Sequence, residues 1–181
     1  MRTLANVAAG DRILLDLTMS AAAHTTRGAP SELQALLECP AQVAAGPPTA
    51  GEDEIRYTLR WYNKTATHAP ETIWFSNVPV LTPATRTTVH LAKLGSAVDA
   101  EDADLGCDGH RRTCGVHLHG VGDGGATLRN GLGALQMTSF DGAMVSVGGT
   151  DPVPTPLVRP DPAKGLHFPL VGNIWNTNCE C

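Results

Sequence analysis

Aromatic side chains are scarce: Phe, Trp and Tyr make up 4% of 181 residues. Small residues, Gly and Pro are abundant instead, which favours short strands separated by many turns. Long apolar runs are missing too, and none approaches the roughly 20 residues a membrane-spanning helix needs. Positive charge is sparse and dispersed. Lys and Arg number 13 against 18 Asp and Glu, and Arg111-Arg112 is an isolated basic pair. That balance argues against a nucleic-acid partner. Ala5 to Ala9 is followed closely by Asp11 and Arg12, with Asp16 interrupting the next apolar stretch, so the start does not read as a signal peptide. The compartment stays open. No Gly-x-Ser-x-Gly elbow is present for a serine nucleophile, and the glycine-rich tract 120–133 lacks the spacing of a phosphate loop. Hairpin chemistry is the expectation for that tract. There is no internal repeat.

What the chain does have is turn-forming residues, 19 Gly and 13 Pro, set between short alternating segments. From Ile55 to Tyr62, Ile55, Tyr57, Leu59 and Trp61 share one side, while Glu54, Arg56, Thr58 and Arg60 share the other. This period of two marks a strand with one apolar face. Further strand patterns cover Thr72–Val78, Thr87–Leu91, Gly115–Val121, Leu132–Phe140, Ala143–Val147 and Leu166–Leu170. Asp123-Gly124-Gly125, Asn130-Gly131 and Asp141-Gly142 stand between them as turns. Short strands at this spacing predict an all-β, antiparallel β-sandwich over residues 54–181. Residues 1–53 are expected to be a short helical or irregular N-terminal segment and linker, partly packed on the sandwich. Within them 12–20 reads as a strand or short helix. Ser31 to Glu38 reads as a capped helical turn or two, and 41–53 as a loop. Pro169 requires its strand to lie at an edge or in a non-bonding position.

The order of several short blocks carries a resemblance. Tyr62-Asn63-Lys64-Thr65-Ala66-Thr67 leads to Pro70-Glu71 and Ile73-Trp74-Phe75. Lys93-Leu94-Gly95 with Val98-Asp99 follows, then Ser139-Phe140-Asp141 with Met144-Val145. Last comes Gly165-Leu166-His167-Phe168 running into Asn173-Ile174-Trp175-Asn176-Thr177-Asn178. Together with the weaker Arg27-Gly28-Ala29-Pro30, this resembles the C-terminal region of an uncharacterised family related to glycoside hydrolase family 38, the α-mannosidases. The chain departs from that pattern at His68 and at Cys179-Glu180-Cys181. The resemblance implies a β-sandwich like the C-terminal domain of those enzymes, packing on a catalytic barrel and able to contact carbohydrate. It places their catalytic zinc in a His-x-Asp motif of the barrel. This chain has no His-x-Asp, so no catalytic residue and no cofactor carries over to it, and the glycosidase activity would be the parent protein's.

The expected function is therefore the non-catalytic sandwich portion of an α-mannosidase-related protein, with the barrel or carbohydrate as partner. An alternative is a free-standing carbohydrate-binding module, for which Trp74 and Trp175 are the candidate sugar contacts. Another alternative is a small metal-binding protein. On a strand His117 and His119 share a face about 7 Å apart, and Cys107, Cys114 or His110 could complete a tetrahedral zinc site. The competing reading makes Val116 and Leu118 the buried face and leaves both histidines in solvent. Cys107 and Cys114 are too far apart for the usual zinc pair of cysteines, although a disulfide could join them in an oxidising compartment. The carboxylates, Glu71, Asp99, Glu101, Asp102, Asp104 and Asp141 among them, show no spacing that selects a glycosidase pair.

Overall fold

The structure, a computed structural model, describes residues 10–39, 54–68, 70–80, 86–103, 118–131, 133–150 and 161–173. They belong to two compact units, Met1–Ala69 and Pro70–Cys181. The first contains β1 (Arg12–Thr18), α1 (Ala21–Arg27), β2 (Glu32–Glu38) and β3 (Arg56–Tyr62), the strands forming an antiparallel sheet in the order β1-β2-β3. The helix α1 is started by Ser20, whose Oγ accepts the Ala23 N–H at 3.1 Å. It ends where the Gly28 N–H donates to the His24 carbonyl at 3.1 Å. Both ends thus satisfy backbone groups that a short helix would otherwise leave open.

Residues 32–38 are a strand, not the helix that Ser31 and the following pattern predict. β2 is the central strand, paired at seven positions with β1 and at seven with β3. Ladders on both sides satisfy its backbone, and helix propensities of a few tenths of a kcal/mol per residue do not outweigh them. Ser31 does not cap a helix; its Oγ accepts from Asn63 Nδ2 at 3.0 Å. The strand pattern from 55 to 62, expected in the sandwich, is β3 of this sheet, and the units divide after Ala69 instead of after residue 53. The predicted loop 41–53 lies outside the described residues.

Register fixes which residues share a face. Three cross-strand rungs, Ile13–Leu37–Tyr57, Leu15–Ala35–Leu59 and Leu17–Leu33–Trp61, put nine uncharged and mainly aliphatic or aromatic side chains on one side. The other side carries Arg12, Asp16, Glu32, Glu38, Arg56 and Arg60. There Arg12 Nε pairs with Glu38 at 2.9 Å and Gln34 Nε2 donates to Asp16 at 2.8 Å.

The second unit holds β4 (Glu71–Asn77), β5 (Thr88–Lys93), β6 (Ser96–Asp99), α2 (Ala100–Ala103), β7 (Leu118–Gly120), β8 (Ala126–Asn130), β9 (Gly133–Met137), β10 (Met144–Val147) and β11 (Leu166–Asn173). These strands form two antiparallel sheets, β4-β11-β10-β7 and β6-β5-β8-β9. One buried cluster joins them: Val89, Leu91, Ala126 and Leu128 from the second sheet, Val145, Val147, Leu166 and Phe168 from the first. Ala100 of α2 joins it, with Phe75, Val121 and Met137 packed at its margin. The expected all-β antiparallel sandwich is what the chain forms. A single phenylalanine sits among aliphatic residues in the fully buried set.

Strand β11 is central to its sheet, and the chain accommodates Pro169 with a device of its own. Pairing with β10 stops at His167, and pairing with β4 shifts register between Pro169 and Val171. The proline therefore sits at a bulge, the position a residue without an N–H can occupy inside a sheet. Strands β6 and β8 were not marked by the sequence. The β5–β6 hairpin turns on Leu94 and Gly95, with φ of 50° and 81°. Both central residues at positive φ match a type I′ turn, and Leu94 is fully exposed.

Two outcomes follow for stability. Phe168→Ala should lower unfolding free energy by about 3–5 kcal/mol, because its buried ring would leave a cavity; urea denaturation measures this, and a loss below about 1 kcal/mol would contradict the packing. Leu94→Asn should raise stability by about 0.5–1 kcal/mol, since asparagine tolerates the left-handed region better and Leu94 has no burial to lose. A lower melting temperature for Leu94→Asn would refute that turn assignment.

Candidate functional site: a polar groove on the outer face of one sheet

Burying Val89, Leu91, Ala126 and Leu128 turns their neighbours the other way. On that outer face Asp99, His90, Thr127 and Gln136 form one row across all four strands, joined by the pairs His90↔Asp99, His90↔Thr127 and Thr127↔Gln136. Arg129, two residues beyond Thr127 on β8, lies opposite Thr88. At strand spacings of about 4.8 Å and about 7 Å between alternate residues, His90, Thr127, Gln136 and Arg129 cover an area roughly 10 by 7 Å.

The glycine tract after β7 forms a wall beside this grid. Ala92 N–H donates to the Gly125 carbonyl at 2.9 Å, Gly122 N–H to the Ala92 carbonyl at 2.8 Å, and Gly125 N–H to the Gly122 carbonyl at 2.8 Å. Gly125 takes φ of 62°, and a Cβ there would overlap the Met137 carbonyl. Only glycine fits both demands. The loop, the Leu94–Ala97 turn and the polar row border a hollow of about 800 Å³ that is roughly half open to solvent, its volume within the range of small-ligand sites.

Several groups lining it have hydrogen-bonding capacity to spare. His90 Nδ1 is buried without a partner among the described residues. Gln136 Nε2 donates to the Gly124 carbonyl at 3.0 Å, which fixes the amide and leaves Oε1 as an acceptor. Arg129 makes no ion pair to a described residue, and Asp123 on the opposing loop supplies a carboxylate. Donors and acceptors of both signs thus meet in one hollow, whose lining residues include no Phe, Tyr or Trp. Such a surface binds through polar contacts to a ligand rich in hydroxyl or similar groups.

The residues singled out by sequence lie elsewhere. Trp74 is half-buried on β4, opposite Pro169, on the side turned away from its core-packed neighbour Phe75. Trp175 lies outside the described residues, so a Trp74–Trp175 platform has only one placed member. Cys107, Cys114, His110 and His117 also lie outside them. His119 is 6% exposed and pairs with Val145, which puts it on the core side of its sheet; Leu118 pairs with Ser146 and faces outward. The reading that kept His119 in solvent and buried Leu118 is therefore reversed, because the register with β10 sets the facing. Among the described residues no group of three or more His, Cys, Asp or Glu side chains is placed to hold a metal. Sequence reasoning missed His90, Thr127, Arg129 and Gln136. Their signal was the alternation Thr88-Val89-His90-Leu91 and Thr127-Leu128-Arg129.

On the other sheet His167 is nearly buried, its Nδ1 2.8 Å from Ser76 Oγ. Burial holds its pKa below the usual imidazole value, partly offset by a backbone hydrogen bond at Lys164. No family model, curated protein or solved structure matches the chain.

A folded-state pKa below the unfolded one means that the unfolded chain binds the extra proton as pH falls through about 6.5. The His167 contribution to stability is then complete at neutral pH and lost on acidification. Urea midpoints at pH 7.5 and 5.5 should fall more steeply for the wild type than for His167→Gln; equal slopes would show that His167 does not titrate differently on folding.

Proposed function

We propose that this chain is the non-catalytic β-sandwich portion of a glycoside hydrolase family 38-like, α-mannosidase-related protein, and that it contacts carbohydrate through the groove on β5, β8 and β9. The observation that carries the reading is the polar row His90–Thr127–Gln136 with Arg129, set against a glycine wall in a hollow of ligand size. A sugar ring presents hydroxyls that both donate and accept, and the groove supplies both kinds of partner at a spacing of one to two rings. The two-sheet antiparallel architecture and the order of the family-like blocks support the same reading. In it Arg129 and Asp123 hold hydroxyl groups from opposite walls, and the tethered Gln136 orients the ring between them. The groove would serve equally in a free-standing carbohydrate-binding module.

Titration of the purified chain with mannose-containing oligosaccharides, read by calorimetry or saturation-transfer NMR, is the test. Arg129→Ala and Gln136→Ala should each weaken binding about tenfold, the loss of one to two hydrogen bonds, with melting temperature unchanged. In the same preparation aryl α-mannosides should not be hydrolysed. Absence of binding by the wild type, or binding indifferent to both substitutions, would overturn the assignment of the groove.

A further inference from the structure

We infer that the ligand of the groove on β5, β8 and β9 is an acidic sugar, a short oligosaccharide with one carboxylate seated against Arg129. The inference rests on the carbohydrate reading of that groove and adds the charge of what it takes. Arg129 and Asp123 line the same hollow and both are exposed. They pair neither with each other nor with any other described residue. The hollow thus holds one cation and one anion that the protein itself leaves uncompensated.

Register keeps these two charges apart. Arg129 sits opposite Thr88 on β5. Asp123 belongs to the loop held over Ala92, where the Gly122 N–H donates to the Ala92 carbonyl at 2.8 Å. From Thr88 to Ala92 the strand rises roughly 13 Å, so the charges occupy opposite ends of the hollow. Each end has its own chemistry. The planar guanidinium of Arg129 offers two parallel N–H donors, the arrangement that a carboxylate accepts with both oxygens. Thr127, about 7 Å along β8 on the same face, adds a hydroxyl with no other partner among the described residues. At the far end the Asp123 carboxylate can only accept, and so takes hydroxyl donors. A ligand that fits both ends has its negative charge at one end and free hydroxyls at the other.

The rest of the lining favours a charged sugar over a neutral one. It includes no Phe, Tyr or Trp, so no ring face is available for a sugar to stack on. Hydrogen bonds to an ionised partner are about twice as strong as neutral ones, and a carboxylate at Arg129 would make the strongest contact the groove has to give. One guanidinium balances one carboxylate. A phosphate ester or a polyanion brings more negative charge than Arg129 compensates, beside Asp123 and on a chain of formal net charge −5.

The test is calorimetric titration of the full chain with mannobiose and with its counterpart in which one C6 hydroxymethyl group is oxidised to a carboxylate. At low salt the acidic disaccharide should bind about tenfold more tightly. That margin should shrink as ionic strength rises, because Arg129 is exposed. Arg129→Gln should abolish the margin, and Arg129→Lys, which keeps the charge without the fork, should retain part of it. Equal binding of the two disaccharides, or tighter binding of mannobiose, overturns the acidic ligand and leaves the carbohydrate reading standing. Binding of neither overturns both. A margin that survives Arg129→Gln puts the carboxylate somewhere else and overturns the inference as well.

Discussion

Everything in the second unit depends on one seam, where Val89, Leu91, Ala126 and Leu128 of one sheet meet Val145, Val147, Leu166 and Phe168 of the other. These side chains supply most of the apolar burial there, and a strand allows them only at every second position. Once they point inward, His90, Thr127 and Arg129 have to point outward. The floor of the groove is therefore the reverse side of the core. Its precision comes from the same packing: strands locked by a filled core hold the polar row at fixed spacing.

The glycine loop between β7 and β8 adds what the strands cannot. A flat outer face would bind nothing small, because it offers contacts from one side only. Folding the loop back onto Ala92 through two backbone hydrogen bonds, with a third inside the loop, raises a wall beside the row. The Gly124 carbonyl then fixes the Gln136 amide across the hollow. In this unit backbone geometry, through glycine at positive φ, shapes the site, while side chains provide its chemistry.

The first unit is built differently. Its three-stranded sheet has one face as apolar as a sandwich interior, yet none of those side chains is buried. Helix α1, built largely of Ala and Thr, contributes no buried residue.

Strand identity was legible in the chain wherever alternation was strong. The Ile55–Tyr62 pattern, the Thr72–Val78 pattern and the Leu166–Leu170 pattern each became strands, and the sandwich class followed from their spacing. Partnership was not legible. β3 carries the alternation of a sandwich strand but pairs with β2 in the other unit, since apolar alternation says that a face must be buried and not against what. Ser31 to Glu38 looked helical because local capping residues and propensity are all that a single segment displays; two ladders overrode both. The reading that left His119 in solvent and buried Leu118 was reversed because the pairing of His119 with Val145, which local sequence does not display, decides the face. The groove residues were visible as polar positions in alternating strands, but His90, Gln136 and Asp123 are far apart in sequence and belong to different elements. The chain by itself determined which positions are apolar and where turns occur, because these depend on local chemistry. Tertiary pairing alone decided which faces meet, because that depends on contacts between residues distant along the chain.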